Sequence, residues 1–85
     1  MNWRVRVTNT ARKQFKRLPK NISQQIEMII TEMEVNPFRG DIERLGGADN
    51  TWRRRIGSYR LIYEIGIKEK TIEIYEIARR TSKTY

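Results

Sequence analysis

The segment from Trp52 to Ile65 constrains the fold most, because its sequence predicts a β-hairpin with a single register. Gly57 and Ser58 fit a two-residue loop of type II′, which needs positive φ at its first position. A loop at these residues fixes the opposed pairs as Ile56 with Tyr59, Arg55 with Arg60, Arg54 with Leu61, Arg53 with Ile62 and Trp52 with Tyr63.

The register sorts the hairpin side chains by face, since directly opposed residues share a face of a sheet. One face receives the apolar and aromatic residues Trp52, Ile56, Tyr59, Leu61 and Tyr63. The other receives Arg53, Arg55 and Arg60, which we call the arginine cluster. Arg55 and Arg60 are opposed at a Cβ separation of roughly 5 Å, where like charges destabilise a sheet. Stability alone does not explain this arrangement.

Two interpretations of the arginine cluster follow. Planar guanidinium groups on one side of a rigid hairpin form a multidentate site for phosphate oxygens. Alternatively, the strand has a solvated outer face on which Glu64 neutralises part of the charge. We favour the phosphate site.

Composition points to the same class of partner. The chain has 85 residues, enough for one domain spanning residues 1–85, with 18 Lys and Arg against 10 Asp and Glu. A net charge of +8 is typical of proteins that bind nucleic acid, an anionic membrane or an acidic protein. With neither Cys nor His, the chain lacks the usual thiolate and imidazole chemistry. We expect no metal, no cofactor, no membrane span and a cytoplasmic location.

The first half of the chain predicts a strand followed by two helices. Asn2 to Val7 alternates apolar and polar residues, as a half-buried strand does. Thr8 or Thr10 can cap a basic helix that Pro19 limits. Asn21 is predicted to cap the second helix, which ends at Asn36-Pro37 and has the apolar stripe Ile22, Ile26, Ile29, Ile30 and Met33.

The second half predicts a sheet. Ile42 and Leu45 either start a short strand or dock on the core, and residues 46–50 form a loop. Hairpin strands at about 51–56 and 59–66 precede a turn around Lys68-Glu69 and a third strand from Thr71 to Ile77. The order β-α-α-β-β-β predicts an α+β domain with two N-terminal helices packed on a mainly antiparallel sheet.

The C-terminal tail, residues 78–85, adds further candidate residues. Arg79, Arg80, Lys83 and Tyr85 follow the third strand, which brings them near Arg60 if that strand pairs with the second. The alternative is a frayed basic terminus.

Together these features resemble the RelE/ParE superfamily of toxin–antitoxin toxins, and most closely its RelE-like ribosome-dependent mRNA endonucleases. The resemblance covers almost the whole chain. It rests on the opening strand, Ala11-x-x-x-Phe15-x-x-Leu18-Pro19, Asn36-Pro37, Leu45-Gly46-Gly47, the hairpin block from Trp52 to Tyr63, and Ile77-Ala78-Arg79-Arg80 with the terminal Tyr85.

The resemblance implies a site and partners. In that family the 2′-hydroxyl of a nucleotide attacks its own 3′-phosphate in the ribosomal A site. By position, Arg60 matches the transition-state arginine, and Arg79 and Tyr85 match the arginine and tyrosine near the end of the chain. We therefore expect catalytic roles for Arg55, Arg60, Arg79 and Tyr85, and RNA binding by Arg53, Arg54, Arg80 and Lys83. The implied partners are an acidic antitoxin, the ribosome and mRNA.

The chemistry of RNA cleavage is compatible with these residues. It needs a base for the 2′-hydroxyl, cations for the charge on the phosphorane and an acid for the departing 5′-oxygen. A tyrosine acts as a base only where cations lower its pKa from about 10, and arginine is a weak acid, so Arg79 is expected to stabilise the leaving group. Two other functions stay open: a ParE-like, non-enzymatic inhibitor of DNA gyrase, and a basic nucleic-acid-binding module.

Overall fold

The computed structural model describes residues 2–45 and 50–79 and contains the six elements of the predicted order together with one further short strand, Ile42–Arg44. The elements are β1 (Arg4–Val7), α1 (Asn9–Lys16), α2 (Lys20–Met33), β2 (Ile42–Arg44), β3 (Thr51–Ile56), β4 (Tyr59–Gly66) and β5 (Thr71–Arg79). The predicted α+β class with two N-terminal helices is confirmed. Ile42 starts a short strand, the first of the two alternatives considered for this segment.

One five-stranded sheet holds all of these strands, in the order β1-β5-β4-β3-β2. β1 runs parallel to β5, and every other neighbouring pair is antiparallel. The sheet is therefore mainly antiparallel, as predicted, although β1 and β5 come from opposite ends of the chain. β5 extends two residues beyond the predicted end at Ile77, because Tyr59 and Arg60 of β4 pair with Arg79 and Ala78.

Helix α1 is joined to the sheet by side chains at its start and middle. The Thr8 hydroxyl accepts a hydrogen bond from the Ala11 amide and donates one to the Tyr75 carbonyl, so Thr8 is the cap. The Gln14 side-chain oxygen accepts from the Ile77 amide at 2.7 Å. The pairing of β1 with β5 ends at Ile74, so these side chains provide hydrogen-bond partners for the Tyr75 carbonyl and the Ile77 amide of β5.

The predicted cap of α2 was wrong. The helix begins at Lys20 and its N-cap is Pro19, with no side-chain hydrogen bond. The Pro19 carbonyl accepts from the amides of Ile22 and Ser23 at 3.0 Å, so the backbone closes the first turn and Asn21 lies inside the helix. Proline suits this position because its fixed φ and missing N–H cost nothing before a first turn.

The hydrophobic core lies between the two helices and one face of the sheet. It consists of Ala11, Ile26, Ile29 and Met33 from the helices and Ile56, Leu61, Tyr63, Ile65, Ile72, Ile74 and Ile77 from the strands. The strand members alternate along β4 and β5, which leaves the opposite face of the sheet for polar residues. Within residues 2–45 and 50–79, no helix is long and apolar enough to cross a membrane.

Candidate nucleic-acid interface

The β3–β4 hairpin has the register that its sequence predicts. All pairs from Trp52–Tyr63 to Ile56–Tyr59 are formed, and Arg55 lies opposite Arg60. Gly57 has a φ of 57°, whereas the φ of Ser58 is not positive. A type II′ loop requires this combination. The positions of the arginines are thus set by the turn and by strand alternation.

The arginine cluster lies on the sheet face turned away from the helices, which we call the open face. Cross-strand register places Glu43 beside Arg53, and Ile62 and Glu76 follow in the same row. The next row contains Arg55, Arg60 and Ala78. The sheet therefore brings all three predicted cations of this face together at the hairpin end.

The members of the arginine cluster differ in how far they are neutralised. Arg53 forms an ion pair with Glu43, and its side chain is only 16% exposed. Arg55 is 44% exposed, and its Nε lies 3.9 Å from Oδ2 of Asp41. Arg60 is exposed and has no ion pair among the residues that the structure describes. Free positive charge increases from Arg53 to Arg60.

Arg54 lies on the helix side of the sheet, apart from the cluster. Its Nη1 donates to the Arg39 carbonyl at 3.2 Å, and its Nη2 lies 3.5 Å from Oε1 of Glu32 on α2. Only 14% of its side chain is exposed. The expected role of Arg54 in RNA binding is not supported by this position. Strict alternation already places it with Trp52 and Ile56, so the sequence contained this signal.

Tyr63 is a buried tyrosine of β4 that lies opposite Trp52 on the helix side of the hairpin. Its side chain is fully buried, and its hydroxyl has no hydrogen-bond partner in the described part of the chain. Burial raises the pKa of Tyr63 from 10.0 to about 12, while the positive charge of Arg54 lowers it by a smaller amount. A neutral tyrosine on the helix side belongs to the core and not to the open face.

The remaining predicted site residues lie at or beyond the end of β5. Arg79 is exposed and lies opposite Tyr59, so alternation places it on the helix side, across the sheet from Arg60. The structure brings it close to the hairpin end but not onto the open face. Arg80, Lys83 and Tyr85 lie outside the described residues.

The carboxylates of the sheet do not form a metal site. Glu64 lies directly opposite Glu73, and both are half-buried on the open face. Among the described residues, no three carboxylate side chains are grouped closely enough to hold a metal ion. Glu64 is not part of an ion pair to the arginine cluster within residues 2–45 and 50–79.

The acidic partners of the cluster, Asp41 and Glu43, were missed by sequence reasoning. Both precede the hairpin, and β2 brings them beside it. A weak signal existed, because the run Asp41-Ile42-Glu43 alternates like a short strand with both acids on one face. Only strand pairing shows which face that is.

Comparison with known proteins places these features in a wider group. Residues 5–83 match the model of a family described as "ParE toxin of type II toxin-antitoxin system, parDE". A protein of Methanocaldococcus jannaschii named as toxin RelE1 is 31% identical over 83 residues, which cover 94% of this chain and 92% of that protein. Both matches span nearly the whole sequence.

Solved structures agree with this result. A chain of the archaeal RelE–RelB complex from Pyrococcus horikoshii OT3 is 27% identical, with a TM-score of 0.87, and the match covers 98% of this chain and all of that one. A chain of the RelBE2 toxin–antitoxin complex from Mycobacterium tuberculosis is 28% identical, with a TM-score of 0.81, over 94% of this chain and all of that one.

Proposed function

This chain belongs to the ParE toxin family of type II toxin–antitoxin systems, and we propose that it is a RelE-like toxin that cleaves mRNA in the A site of a translating ribosome. The observation that carries the proposal is the arginine cluster on the open face. Opposed arginines weaken a sheet, so their presence at the hairpin end is best accounted for by an anionic ligand. The RelE names of the relative and of the similar structures support this activity.

In the proposed reaction a base removes the proton of the 2′-hydroxyl, and O2′ bonds to the adjacent phosphorus. The bond from phosphorus to O5′ then breaks, and O5′ takes up a proton. The products are a 2′,3′-cyclic phosphate and a 5′-hydroxyl end. Cations in place before the reaction stabilise the extra negative charge of the phosphorane without having to reorganise.

We assign the central charge stabilisation to Arg60, because it is exposed and has no carboxylate partner among the described residues. Arg55 supports it from the opposed position, and Arg53 holds the RNA backbone. Tyr85 is the proposed base and Arg79 the proposed stabiliser of the leaving group, both by family resemblance. Because Arg79 starts on the helix side, this role requires its exposed side chain to reach past the hairpin end to the open face. Arg80 and Lys83 are proposed to add backbone contacts.

The proposed regulatory partner is an acidic antitoxin. The similar structures from Pyrococcus horikoshii and Mycobacterium tuberculosis are toxin–antitoxin complexes. A charge of +8 on 85 residues favours an acidic binding segment, since complementary charges speed association. Binding of such a segment would keep the toxin inactive until the antitoxin is removed.

The second candidate is a ParE-like inhibitor of DNA gyrase that performs no chemistry. The description of the matching family favours it, because that description names ParE. A gyrase inhibitor has no need for a free cation at the position of Arg60. The RelE-like activity therefore accounts for more of the open face.

Primer extension on a translated message distinguishes the two functions. The message is incubated with purified toxin in the presence and absence of ribosomes, and the 5′ ends are mapped. The proposal predicts cuts in the A-site codon only when ribosomes are present. Inhibition of gyrase supercoiling without such cuts would favour the ParE-like function.

A further inference from the structure

The short segment before the hairpin contacts all three arginines of β3. The Arg39 carbonyl accepts from Arg54, Asp41 lies against Arg55, and Glu43 pairs with Arg53. Through these two side-chain contacts, the carboxylates occupy guanidinium groups of the arginine cluster. Carboxylate and phosphate use the same donors of a guanidinium group.

We propose that Glu43 and Asp41 compete with RNA phosphates for Arg53 and Arg55, so that β2 limits how tightly the toxin holds RNA. This inference rests on the proposed function, in that the arginine cluster is its phosphate site. Binding of RNA exchanges each internal ion pair for an arginine–phosphate contact. Arg60 has no carboxylate competitor among the described residues, so its charge is available at the proposed centre of charge stabilisation.

The two carboxylates differ in how strongly they should compete with RNA. Glu43 is directly opposite Arg53, and the pair leaves Arg53 only 16% exposed. The Asp41 carboxylate is 3.9 Å from Arg55, which keeps 44% of its side chain accessible. Removing the charge of Glu43 therefore has the larger effect on the number of cations that RNA can reach.

A purely structural role for the two carboxylates is less well supported. The backbone already holds this segment, because the Arg55 amide donates to the Asp41 carbonyl at 3.0 Å and Leu45 donates to Thr51 at 2.8 Å. Glu43 and Asp41 are 61% and 67% exposed, and exposed ion pairs contribute little to folding. Neutral isosteres should keep the strand in place.

Binding to a short fluorescein-labelled single-stranded RNA, measured by anisotropy against salt concentration without ribosomes, tests the proposal. Glu43→Gln should steepen the slope of log K against log salt by about 0.7, the value for one added phosphate contact on a single strand. The same slope corresponds to a gain in affinity of about fivefold at 0.1 M salt. Asp41→Asn should give a smaller gain in the same direction.

Glu27→Gln is the matched control, since it changes the net charge equally at an exposed site on α2. It should leave the slope unchanged. In an Arg53→Ala background Glu43→Gln should have no further effect, because the cation that it releases is missing. Thermal unfolding followed by circular dichroism verifies that each variant is folded. If Glu43→Gln does not fold, Asp41→Asn tests the proposal in its place.

Three results would overturn the inference. They are equal gains for Glu43→Gln and Glu27→Gln, a loss of binding in Glu43→Gln, and a failure of both wild type and Glu43→Gln to bind RNA at low salt. The proposed function fails separately, through the absence of ribosome-dependent cuts. A steeper slope without such cuts would keep the competition and reject the nuclease.

Discussion

Arg55 lies directly opposite Arg60 in the β3–β4 ladder, and the carboxylate that pairs with Arg55, Asp41, is 3.9 Å from it. Opposed like charges destabilise a sheet, and a loose ion pair offsets little of this. Natural proteins keep such arrangements where function opposes stability. The pair therefore gives a direct test of whether the open face is selected for binding.

Arg55→Ala should leave the free energy of unfolding within about 0.5 kcal/mol of wild type or raise it, because it removes the repulsion with Arg60. Arg54→Ala is the comparison on the other face. It should cost about 1 kcal/mol or more, since it deletes the hydrogen bond to the Arg39 carbonyl and the packing of a side chain that is only 14% exposed. Urea unfolding measures both. Equal losses would mean that Arg55 also serves the fold.

Arg60→Ala should lower the single-turnover rate of mRNA cleavage by about 10²-fold or more, with ribosome binding little changed. The reason is that Arg60 is proposed to stabilise the negative charge of the phosphorane.

Tyr85→Phe keeps the ring and deletes the hydroxyl, so it tests the proposed base. Full cutting and full growth inhibition by both variants would reject the nuclease mechanism in favour of gyrase inhibition.

Stability at high pH should depend on Tyr63. Its pKa is about 12 in the folded protein and 10.0 as a free side chain, so between these pH values the folded state keeps a proton that the unfolded state has lost. The stabilisation is present below pH 10 and is lost as the pH rises towards 12.

Tyr63→Phe removes this titration and a buried hydroxyl without a partner in the described residues. The variant should match or exceed wild-type stability at neutral pH, and its advantage should grow as the pH rises from 10 towards about 12. Urea unfolding across this range gives the measurement. An advantage that does not change with pH would contradict the burial of a neutral tyrosine.

Gly40→Ala should destabilise the protein by more than about 1 kcal/mol. Gly40 has a φ of +94°, which strains an L residue, and a Cβ there would displace the guanidinium group of Arg54 from its place beside the Arg39 carbonyl. Gly57→Ala is the control, because Gly57 also has positive φ, +57°, but a Cβ there meets nothing within 4 Å. A larger thermal shift for Gly57→Ala would show that backbone strain outweighs the contact with Arg54.

An antitoxin should bind through an acidic amphipathic segment, and salt should weaken its binding only in part. Helix α1 and its C-cap residue offer exposed cations at Arg12, Lys13, Lys16 and Arg17. Beside them is a cavity of about 160 Å³ that is lined by Arg12 and by the apolar side chains Val7, Phe15, Ile30, Ile74 and Ile77. Salt screens the exposed charges but not apolar burial. Calorimetry at low and high salt would test this, and complete loss at high salt would contradict apolar anchors.

The register of the hairpin and the face of its arginines were predictable because they are local. Gly57 permits the loop conformation, and alternation then assigns each side chain of β3 and β4 to a face. The apolar stripe from Ile22 to Met33 predicted α2 for the same reason. One local rule gave a wrong prediction: Pro19, not Asn21, is the N-cap of α2, because a backbone carbonyl can replace a capping side chain.

Only the tertiary structure decided which residues moderate the arginines. Pairing of β2 with β3 places Glu43 on Arg53 and Asp41 near Arg55, and Arg54 reaches Glu32 on α2, 22 residues away. Pairing of β1 with β5 likewise joins the two ends of the described chain. Turn chemistry and periodicity act over a few residues, whereas strand neighbours depend on how the whole chain buries its core. The sequence by itself determined where the positive charge lies, and the fold determined how much of it is free.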